Sequence, residues 1–262
     1  MEPFDLKALS QFQNRDEDSI IDQLAIDSRR IASKNALFCA LKGENNDGHE
    51  FVIHALEHGA KYAIVRNDWN VQTPIIEKKL IRTKNPLGLL QEIATIHRKK
   101  MKAAVVAITG SFGKTMLKDL LFSILSKHKN TYASPESFNS QIGVALSVLQ
   151  ITQQHELAII EAGISEIGEM ERLSSIIQPD HVIVTNFCKK RQNLISEKLK
   201  LLSKKSPTSW NLVPFNENTK SLESTYKLLF WDFEDQDAPS VQCKKKEKNK
   251  STFSIQFANN TH

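Results

Sequence analysis

The amino-acid sequence predicts an α/β protein in which a small α/β domain, residues 1–100, precedes a larger domain built on a parallel sheet, residues 101–262. Short apolar runs typical of buried strands alternate with segments of helical periodicity along most of the chain. A glycine-containing loop joins one of these strands to a helix. The composition, 40% hydrophobic and 25% charged residues, is that of an ordinary globular protein. Disordered, fibrous and very small disulfide-linked proteins are therefore excluded.

The first hundred residues contain two apolar runs and two helical patterns, separated by a polar loop and a glycine. Read in chain order, this alternation predicts a small α/β domain. The predicted elements are a strand at 36–41, a loop at 42–49, a helix with Phe51, Ala55 and Leu56 on one face, a strand at 62–65 and a helix at 87–96.

From residue 103 to residue 185 apolar runs and helical patterns alternate regularly, which predicts a parallel sheet with helices on both faces. The predicted strands are 103–108, 130–133, 157–161 and 182–185. The predicted helices are one that runs through Leu120, Leu121 and Leu125, one at 142–149 and one at 169–177. Beyond residue 186 the pattern weakens into a lysine-rich helix, a core strand within 228–233 and an alternating segment at 253–257.

The glycine loop, residues 109–115, follows the apolar run 103–108. Phosphate binding needs backbone N–H groups that approach the anion closely, a helix N-terminus that points at it, and a cation. The spacing T-G-x-x-G-K-T is shorter than the usual G-x-x-x-x-G-K-[ST], and an ordinary turn is the alternative; the flanking strand and helix favour nucleotide binding. The candidate nucleotide-binding residues are Thr109, Gly110, Ser111, Gly113, Lys114 and Thr115.

A magnesium ion bound between the phosphates of a nucleotide needs oxygen ligands. Thr115 offers a hydroxyl group, and Glu161, which ends the apolar run 157–160, offers a carboxylate. In doubly wound sheets ligands bind beyond the carboxyl ends of the strands, where Glu161 is predicted to lie. The sequence therefore predicts a magnesium site formed by Thr115 and Glu161.

Charge, cysteine content and termini bear on location and partners. Residues 1–185 contain 21 basic and 22 acidic side chains, whereas residues 186–262 contain 14 and 8. The lysine run 244–250 lacks interleaved aromatic residues, which favours a solvated loop over nucleic-acid binding. The three cysteines form no C-x-x-C pair, and the chain shows neither a signal peptide nor a membrane span. We expect a cytoplasmic protein with no nucleic-acid or membrane partner.

Four segments of the chain resemble the Mur ligases. They are VVAITGSFGKT (105–115), SPESFNSQIGVALSVL (134–149), ELAIIEAGISEIGEMERLSSIIQPDHVIVTN (156–186) and, upstream, Asp27-Ser28-Arg29 followed by LFCALKGENNDGHEF (37–51). Within that family the sequence of these segments is most similar to the members that add D-alanyl-D-alanine to UDP-N-acetylmuramoyl-tripeptide, and in particular to the form fused to an alanine racemase. The resemblance implies a UDP-substrate domain over residues 1–100 and an ATP-binding domain over residues 101–262.

The resemblance also implies roles for single residues, with ATP and Mg²⁺ as cofactors. Lys114 and Thr115 would hold the ATP phosphates and magnesium, and Glu161 would hold a magnesium ion. Asn139 would contact the nucleotide-substrate region, and Ser28 and Arg29, with the 42–49 loop, would face the uridine nucleotide. The implied chemistry is transfer of the ATP γ-phosphate to the terminal carboxylate of the tripeptide, followed by attack of the D-alanyl-D-alanine amine on the acyl phosphate.

The chain departs from the family pattern after Asn186. Where the family has a histidine-containing segment that helps to bind a second metal ion, residues 187–193 read FCKKRQN. Clustered positive charges at that position predict a weakened magnesium site. The next residues, 196–202, resemble the helix that carries the family's carbamylated lysine, which suggests Lys198 for that catalytic role. The resemblance further implies a truncated copy whose ATP-binding domain is incomplete, with a separate chain that supplies the missing C-terminal domain.

Other readings of the sequence stay open. One alternative is a non-catalytic remnant that binds nucleotide or UDP-sugar. Another is an unrelated P-loop kinase or GTPase, which explains Lys114 and Thr115 but leaves the upstream segment and SFNSQIG unexplained. His54 and His58 lie four residues apart on a predicted helix, and because no third ligand accompanies them, a solvated helix face is favoured over a metal site.

Overall fold

The computed structural model describes residues 1–9, 12, 18–43, 46–70, 74–187, 193–203, 208–214, 219, 222, 225–231, 241–247 and 250–255. It divides into two compact units. The first unit comprises Met1–Met101 and Val148–Gln153, and the second comprises Lys102–Ser147 and Gln154–His262. Residues 188–192, where positive charge replaces the family's histidine segment, lie outside the described residues, so the predicted weakening of the magnesium site stays a prediction.

The first unit contains a two-stranded antiparallel sheet and a four-stranded parallel sheet whose strands follow chain order. The strands are β1 (Phe4–Asp5), β2 (Ile20–Ile21), β3 (Gln23–Ala25), β4 (Ala36–Cys39), β5 (Ala60–Arg66) and β6 (Leu80–Thr83). The helices are α1 (Val52–Glu57), α2 (Pro74–Glu77) and α3 (Pro86–Lys100). Both predicted strands and both predicted helices of this region are present, whereas β3 and β6, which carry polar residues in short runs, were not predicted.

Helix α1 corrects one prediction. Val52 and Ala55 are buried against the sheet, but Phe51 is 43% exposed. Phe51 ends a 3₁₀ turn, Gly48–Phe51, and therefore does not share the 3.6-residue period of the helix that follows. Helix α3 begins as its sequence predicts, because Asn85 caps the Gly88 N–H at 3.0 Å and Pro86 occupies the first turn.

The second unit contains a six-stranded parallel sheet in the order β12-β11-β10-β7-β9-β8, together with an antiparallel hairpin. The strands are β7 (Ala104–Thr109), β8 (Thr131–Ala133), β9 (Leu157–Glu161), β10 (His181–Val184), β11 (Asn211–Pro214), β12 (Leu228–Trp231), β13 (Val241–Glu247) and β14 (Lys250–Ile255). The helices are α4 (Lys114–Leu125), α5 (Gln141–Leu149), α6 (Glu169–Ile177) and α7 (Ile195–Leu199). The predicted α/β fold with a parallel sheet is confirmed.

Strand β7 lies at the centre of the second unit. Its residues from Val105 to Thr109 are buried without interruption, as in a sheet that is covered on both faces. On one face Leu117, Leu121 and Leu125 of α4 pack against a core that includes Val106 and Ile108. Helix α4 thus holds the segment after β7 against the sheet.

Two features of the second unit differ from the sequence predictions. Leu120 was predicted to share the helical pattern of α4 with Leu121 and Leu125, but it is 54% exposed because it lies to one side of the face that packs against the core. The lysine run 244–250 was predicted to be a loop, whereas residues 241–247 form β13, which pairs with β14. Backbone pairing with β14 outweighs the low strand propensity of lysine.

Of the core strand predicted within 228–233, the strand itself is present as β12, and residues 232 and 233 lie outside the described residues. Strand β11, between β10 and β12, was not predicted, because Asn211–Pro214 combines polar and proline residues with two apolar ones. Within the part of the chain that the structure describes, no helix has both the length and the apolar character needed to cross a membrane.

Candidate functional site

The glycine loop joins the carboxyl end of β7 to the first turn of α4, and two of its residues need glycine. Gly110 has φ +137°, and a Cβ atom there would lie 2.0 Å from Thr185 Oγ1. Gly113 has φ +76° and precedes Lys114, the first residue of α4. Side chains at either position would strain the turn, so the two glycines allow the chain to enter α4 directly from the strand. The unpaired N–H groups of the first helical turn then lie beside the loop.

The loop is held from the neighbouring strand β10. Asn186 Oδ1 accepts hydrogen bonds from the N–H groups of Ser111, at 3.2 Å, and Phe112, at 2.9 Å. Thr185 Oγ1 donates to the Phe112 carbonyl at 2.6 Å. Neither Thr185 nor Asn186 was predicted as a site residue. Their position at the end of a predicted strand, 182–185, and directly after it is the signal that could have identified them.

A cavity of about 420 Å³ opens beside the glycine loop and is lined by Gly110, Ser111, Lys114, Asn139 and Lys198 among others. The Lys114 Nζ donates to the Gly110 carbonyl at 3.2 Å, and the Lys198 Nζ donates to Ser111 Oγ at 3.1 Å. Two lysine side chains therefore approach one loop at a helix N-terminus. This combination favours an anionic ligand with several oxygen atoms, such as a phosphate group.

Glu161 connects three elements at the edge of the sheet. It is 1% exposed, at the end of β9. Its Oε2 accepts a hydrogen bond from Thr115 Oγ1 at 2.8 Å, and its Oε1 accepts one from Asn139 Nδ2 at 2.6 Å. The Glu161 N–H donates to Ser134 Oγ at 3.1 Å. The structure thus brings together Thr115, Asn139 and Glu161, which lie far apart in sequence.

The donor set at Glu161 fits a magnesium ion. A hydroxyl and a carboxylate are the oxygen ligands that Mg²⁺ takes, with phosphate oxygens and water completing the coordination. The hydrogen bond between Thr115 and Glu161 places both ligands beside the glycine loop. Among the described residues no three His, Cys, Asp or Glu side chains group together as a metal site.

Lys198 lies on α7, and its neighbour Glu197 fixes that helix. Glu197 Oε1 accepts hydrogen bonds from the N–H groups of Gly168, at 2.9 Å, and Met170, at 3.2 Å, at the start of α6. Its Oε2 pairs with Lys200 Nζ at 2.8 Å. Burial raises the pKa of Glu197, but these three hydrogen bonds outweigh it, and the pKa lies below its ordinary value. The charged carboxylate therefore holds α7 against the start of α6.

Thr109 differs from the other predicted loop residues. Its side chain is fully buried at the end of β7, and its hydroxyl has no hydrogen-bond partner among the described residues. The Thr109 carbonyl accepts the Thr185 N–H at 2.9 Å. Thr109 thus lies beneath the loop and contributes to its support through the backbone.

The predicted UDP-substrate residues Ser28 and Arg29 lie in the first unit, after β3. Ser28 is buried, and its Oγ lies 2.9 Å from His54 Nδ1. Arg29 is 82% exposed and pairs with Asp27 at 2.8 Å, and the hydrogen bonds from Arg29 lower the pKa of Asp27 to about 2. The prediction of a solvated helix face holds for the exposed His58 but not for His54, because α1 directs His54 to Ser28.

The polar loop 42–49 is described except for residues 44 and 45. His49 Nδ1 donates to the Asp47 carboxylate at 2.6 Å, and its Nε2 accepts the Arg66 N–H at 2.9 Å. Gly48 N–H donates to the Leu41 carbonyl at 2.8 Å. These bonds fix the loop beyond the carboxyl end of β4, in the same unit as Ser28.

Two family models match the chain. The Mur ligase family, catalytic domain, matches residues 20–111, and the Mur ligase middle domain matches residues 108–261. The chain belongs to the Mur ligase family. The two matches meet near the start of the glycine loop and together include every site residue described above.

Curated relatives and solved structures agree with this family. The UDP-N-acetylmuramoyl-tripeptide–D-alanyl-D-alanine ligase of Borreliella burgdorferi is 32% identical over 251 residues, 88% of this chain and 54% of that relative. The enzyme of the same name from Bacillus subtilis is 34% identical over 171 residues, 65% of this chain and 37% of the relative. This chain of the Mur ligase family thus spans about half the length, or less, of these curated relatives.

Among solved structures, MurF from Acinetobacter baumannii aligns with a TM-score of 0.81 at 23% identity, covering 97% of this chain and 61% of that one. The MurF ligase from Thermotoga maritima in complex with ADP aligns with a TM-score of 0.75 at 22% identity, covering 88% and 55%. At these identities the likeness concerns the fold. None of these matches supports the expectation of a separate chain that supplies a further domain.

Proposed function

We propose that this Mur ligase family chain binds ATP and UDP-N-acetylmuramoyl-tripeptide and takes part in joining D-alanyl-D-alanine to the tripeptide. The observation that carries the proposal is the hydrogen-bonded arrangement of Thr115 and Glu161 beside a cavity lined by Lys114 and Lys198. The names of the most similar curated relatives supply the substrates. The uridine nucleotide is assigned to Ser28 and Arg29 with the 42–49 loop.

In the proposed reaction the terminal carboxylate of the tripeptide attacks the γ-phosphorus of ATP, and the bond from that phosphorus to the β-phosphate oxygen breaks. The amine of D-alanyl-D-alanine then attacks the carbonyl carbon of the acyl phosphate, loses a proton and expels phosphate. Both steps move negative charge between oxygen atoms, so the protein contributes mainly by positioning and by neutralising charge. No protein nucleophile is required.

Each site residue has a part in this scheme. Lys114, which now donates to the loop carbonyl of Gly110, would turn to the phosphates, and the N-terminus of α4 would bind them through its N–H groups. Thr115 and Glu161 would hold Mg²⁺, which neutralises phosphate charge when it is bound. Lys198, held beside Ser111, adds positive charge to the same cavity.

The test is a phosphate-release assay on the full chain with ATP and Mg²⁺, in which each substrate is omitted in turn. We expect release only when UDP-N-acetylmuramoyl-tripeptide and D-alanyl-D-alanine are both present. Lys114→Ala should lower that rate by at least about a hundredfold, because it removes a cation from the transferred phosphate. Lys127→Ala, which removes an exposed lysine beyond the far end of α4, is the matched control and should leave the rate unchanged.

Binding measurements separate the alternatives. Tight binding of ADP and of the UDP-substrate with no release of phosphate would support the non-catalytic reading, in which the chain binds nucleotide or UDP-sugar only. Hydrolysis of GTP or ATP that does not respond to either peptidoglycan precursor would support the unrelated P-loop kinase or GTPase reading and contradict the proposal.

A further inference from the structure

Lys118 is a buried lysine whose charge the proposed reaction does not use. It lies on α4, one turn after Lys114 and Thr115, and is only 1% exposed. Its Nζ donates to the backbone carbonyl of Glu136 and lies 3.3 Å from the carboxylate of Asp119, which is itself 66% exposed. Burying an ammonium group is costly, so a lysine at this position needs a compensating contact. The Asp119 carboxylate and the Glu136 carbonyl compensate it, and of the two only the carbonyl belongs to another element.

Glu136 belongs to the 134–140 loop, which joins β8 to α5 and carries Asn139. Glu136 has φ +44°, a left-handed conformation that residues other than glycine seldom adopt. This conformation is part of a loop that is fastened at several points. The Asn139 carbonyl accepts the Gly163 N–H at 2.8 Å, and Ser134 Oγ accepts the Glu161 N–H at 3.1 Å. The hydrogen bond from Lys118 to the Glu136 carbonyl holds the middle of the loop.

The end of this loop reaches the proposed magnesium site. Asn139 Nδ2 donates to Glu161 Oε1 at 2.6 Å, while Thr115 donates to the other carboxylate oxygen. The orientation of the Glu161 carboxylate therefore depends on where Asn139 lies, and the position of Asn139 depends on the loop. Substituting a group that holds a metal ligand by a hydrogen bond typically costs roughly 10- to 100-fold in metal affinity or activity.

We propose that Lys118 is a positioning residue for the magnesium-nucleotide site, which acts by holding the 134–140 loop so that Asn139 orients Glu161. It contacts neither nucleotide nor metal ion, because its Nζ is buried against the Glu136 carbonyl. The inference rests on the proposed function, since it assumes that Mg²⁺ and nucleotide bind at Thr115 and Glu161. It adds the requirement that the 134–140 loop be held in place, which the glycine loop alone does not impose.

The test is calorimetric titration of the full chain with ADP, once with Mg²⁺ and once with EDTA. Lys118→Met, which keeps the length of the side chain without the charge, should weaken ADP binding in Mg²⁺ by about tenfold. In EDTA the affinity should change by less than about twofold, because the loop acts on the metal ligands. Lys118→Arg, which retains a donor for the carbonyl, should recover most of the Mg²⁺-dependent affinity.

One control and a double variant complete the experiment. Asp119→Asn keeps the Lys118 ammonium and the Glu136 carbonyl, and should bind Mg·ADP like the unmodified chain. Asn139→Ala should reproduce the loss in Lys118→Met, and the two substitutions together should cost no more than either alone, since they act on one path. Lys118→Leu, which likewise has no hydrogen-bond donor, replaces Lys118→Met in all comparisons if the methionine variant does not fold.

The outcomes distinguish two failures. If the unmodified chain binds no ADP, or binds it equally with and without Mg²⁺, the proposed site itself is wrong and the inference falls with it. If the unmodified chain binds Mg·ADP but Lys118→Met loses affinity equally in EDTA, or adds fully to Asn139→Ala, Lys118 has only a general structural role and the positioning inference is overturned.

Discussion

The parallel sheets of the two units differ in strand order. In the first unit β3, β4, β5 and β6 lie side by side in the order in which the chain forms them. In the second unit β7 lies between β10 and β9, so the chain runs to one side of β7 and later returns to the other. A reversal of this kind opens a crevice at the carboxyl ends of the central strands. The glycine loop of the second unit lies at that reversal.

The site in the second unit is consequently built from long-range contacts. Thr115 and Glu161 are 46 residues apart, and Lys198 and Ser111 are 87 residues apart. Each contact joins the end of one strand to the loop or helix beyond another. A change in any of these elements should therefore affect the others.

The polar loops of the first unit combine local turns with contacts inside that unit, such as the hydrogen bond from the Arg66 N–H to His49 Nε2. Asp27 accepts the N–H of Arg29, and Asp47 accepts the N–H of His49, each from two residues along the chain. Such Asx turns form within the loop itself and need little from the rest of the sheet. Strand order thus decides whether polar groups at a sheet edge converge on one site or remain separate.

The largest difference between the units is expected for glycine substitutions. Gly110→Ala adds a Cβ atom 2.0 Å from Thr185 Oγ1 in a backbone with φ +137°, and should lower the free energy of unfolding by about 3 kcal/mol. Gly59→Ala in the first unit is the matched control, because Gly59 has φ +105° but nothing within 4 Å of the added atom. Backbone strain alone should cost about 1 kcal/mol there. Urea unfolding measures the free energy lost in each variant. Equal losses in Gly110→Ala and Gly59→Ala would contradict the expected difference between the two units.

A smaller difference is expected for two asparagines whose Oδ1 atoms accept backbone N–H groups. Asn186→Ala leaves the N–H groups of Ser111 and Phe112 without that acceptor, and should cost about 2 kcal/mol of unfolding free energy. Asn85→Ala removes the cap of α3 in the first unit and should cost about 1 kcal/mol. Only Asn186→Ala should also weaken ADP binding. Calorimetry with both variants checks this, and a loss of ADP affinity in Asn85→Ala would break the distinction.

The smallest effects concern acid sensitivity, which should differ in pH range between the units. Burial lowers the pKa of His97 in the first unit below 6.5, so its contribution to stability is fully present above about pH 6.5 and is lost as the pH falls towards the lower folded value. The pKa of Glu197 lies below 4.5, so its contribution is lost only below about pH 4.5.

Urea unfolding midpoints, measured at intervals from about pH 8 to about pH 3.5, test the pH range assigned to each residue. His97→Gln, which keeps a donor for the Ile151 carbonyl, should flatten the stability profile just below pH 6.5. Glu197→Gln should flatten it only in the more acidic range. If His97→Gln changed the profile in the acidic range assigned to Glu197, or Glu197→Gln changed it just below about pH 6.5, the assignment of these pH ranges would be wrong.

Much of the second unit could be predicted from the sequence, because its elements carry strong local signals. The uninterrupted apolar run before Gly110 predicts β7, and the strand-loop-helix order predicts that Lys114 and Thr115 lie at a helix N-terminus. Glu161 was predicted at a strand end for the same reason. Among the strands that were missed, β3, β6 and β11 are short and carry polar residues or proline, so their pairing depends on neighbouring strands and not on their own pattern.

The sequence by itself determined the family, the alternation of strands and helices, and the residue types that a phosphate site needs, because these follow from local periodicity and motif spacing. The tertiary structure alone decided which of those residues meet. It brought Asn139 and Thr115 to the two oxygens of Glu161, placed Asn186 under the glycine loop, and buried Lys118 against the 134–140 loop. These contacts depend on strand order, which a one-dimensional pattern does not contain.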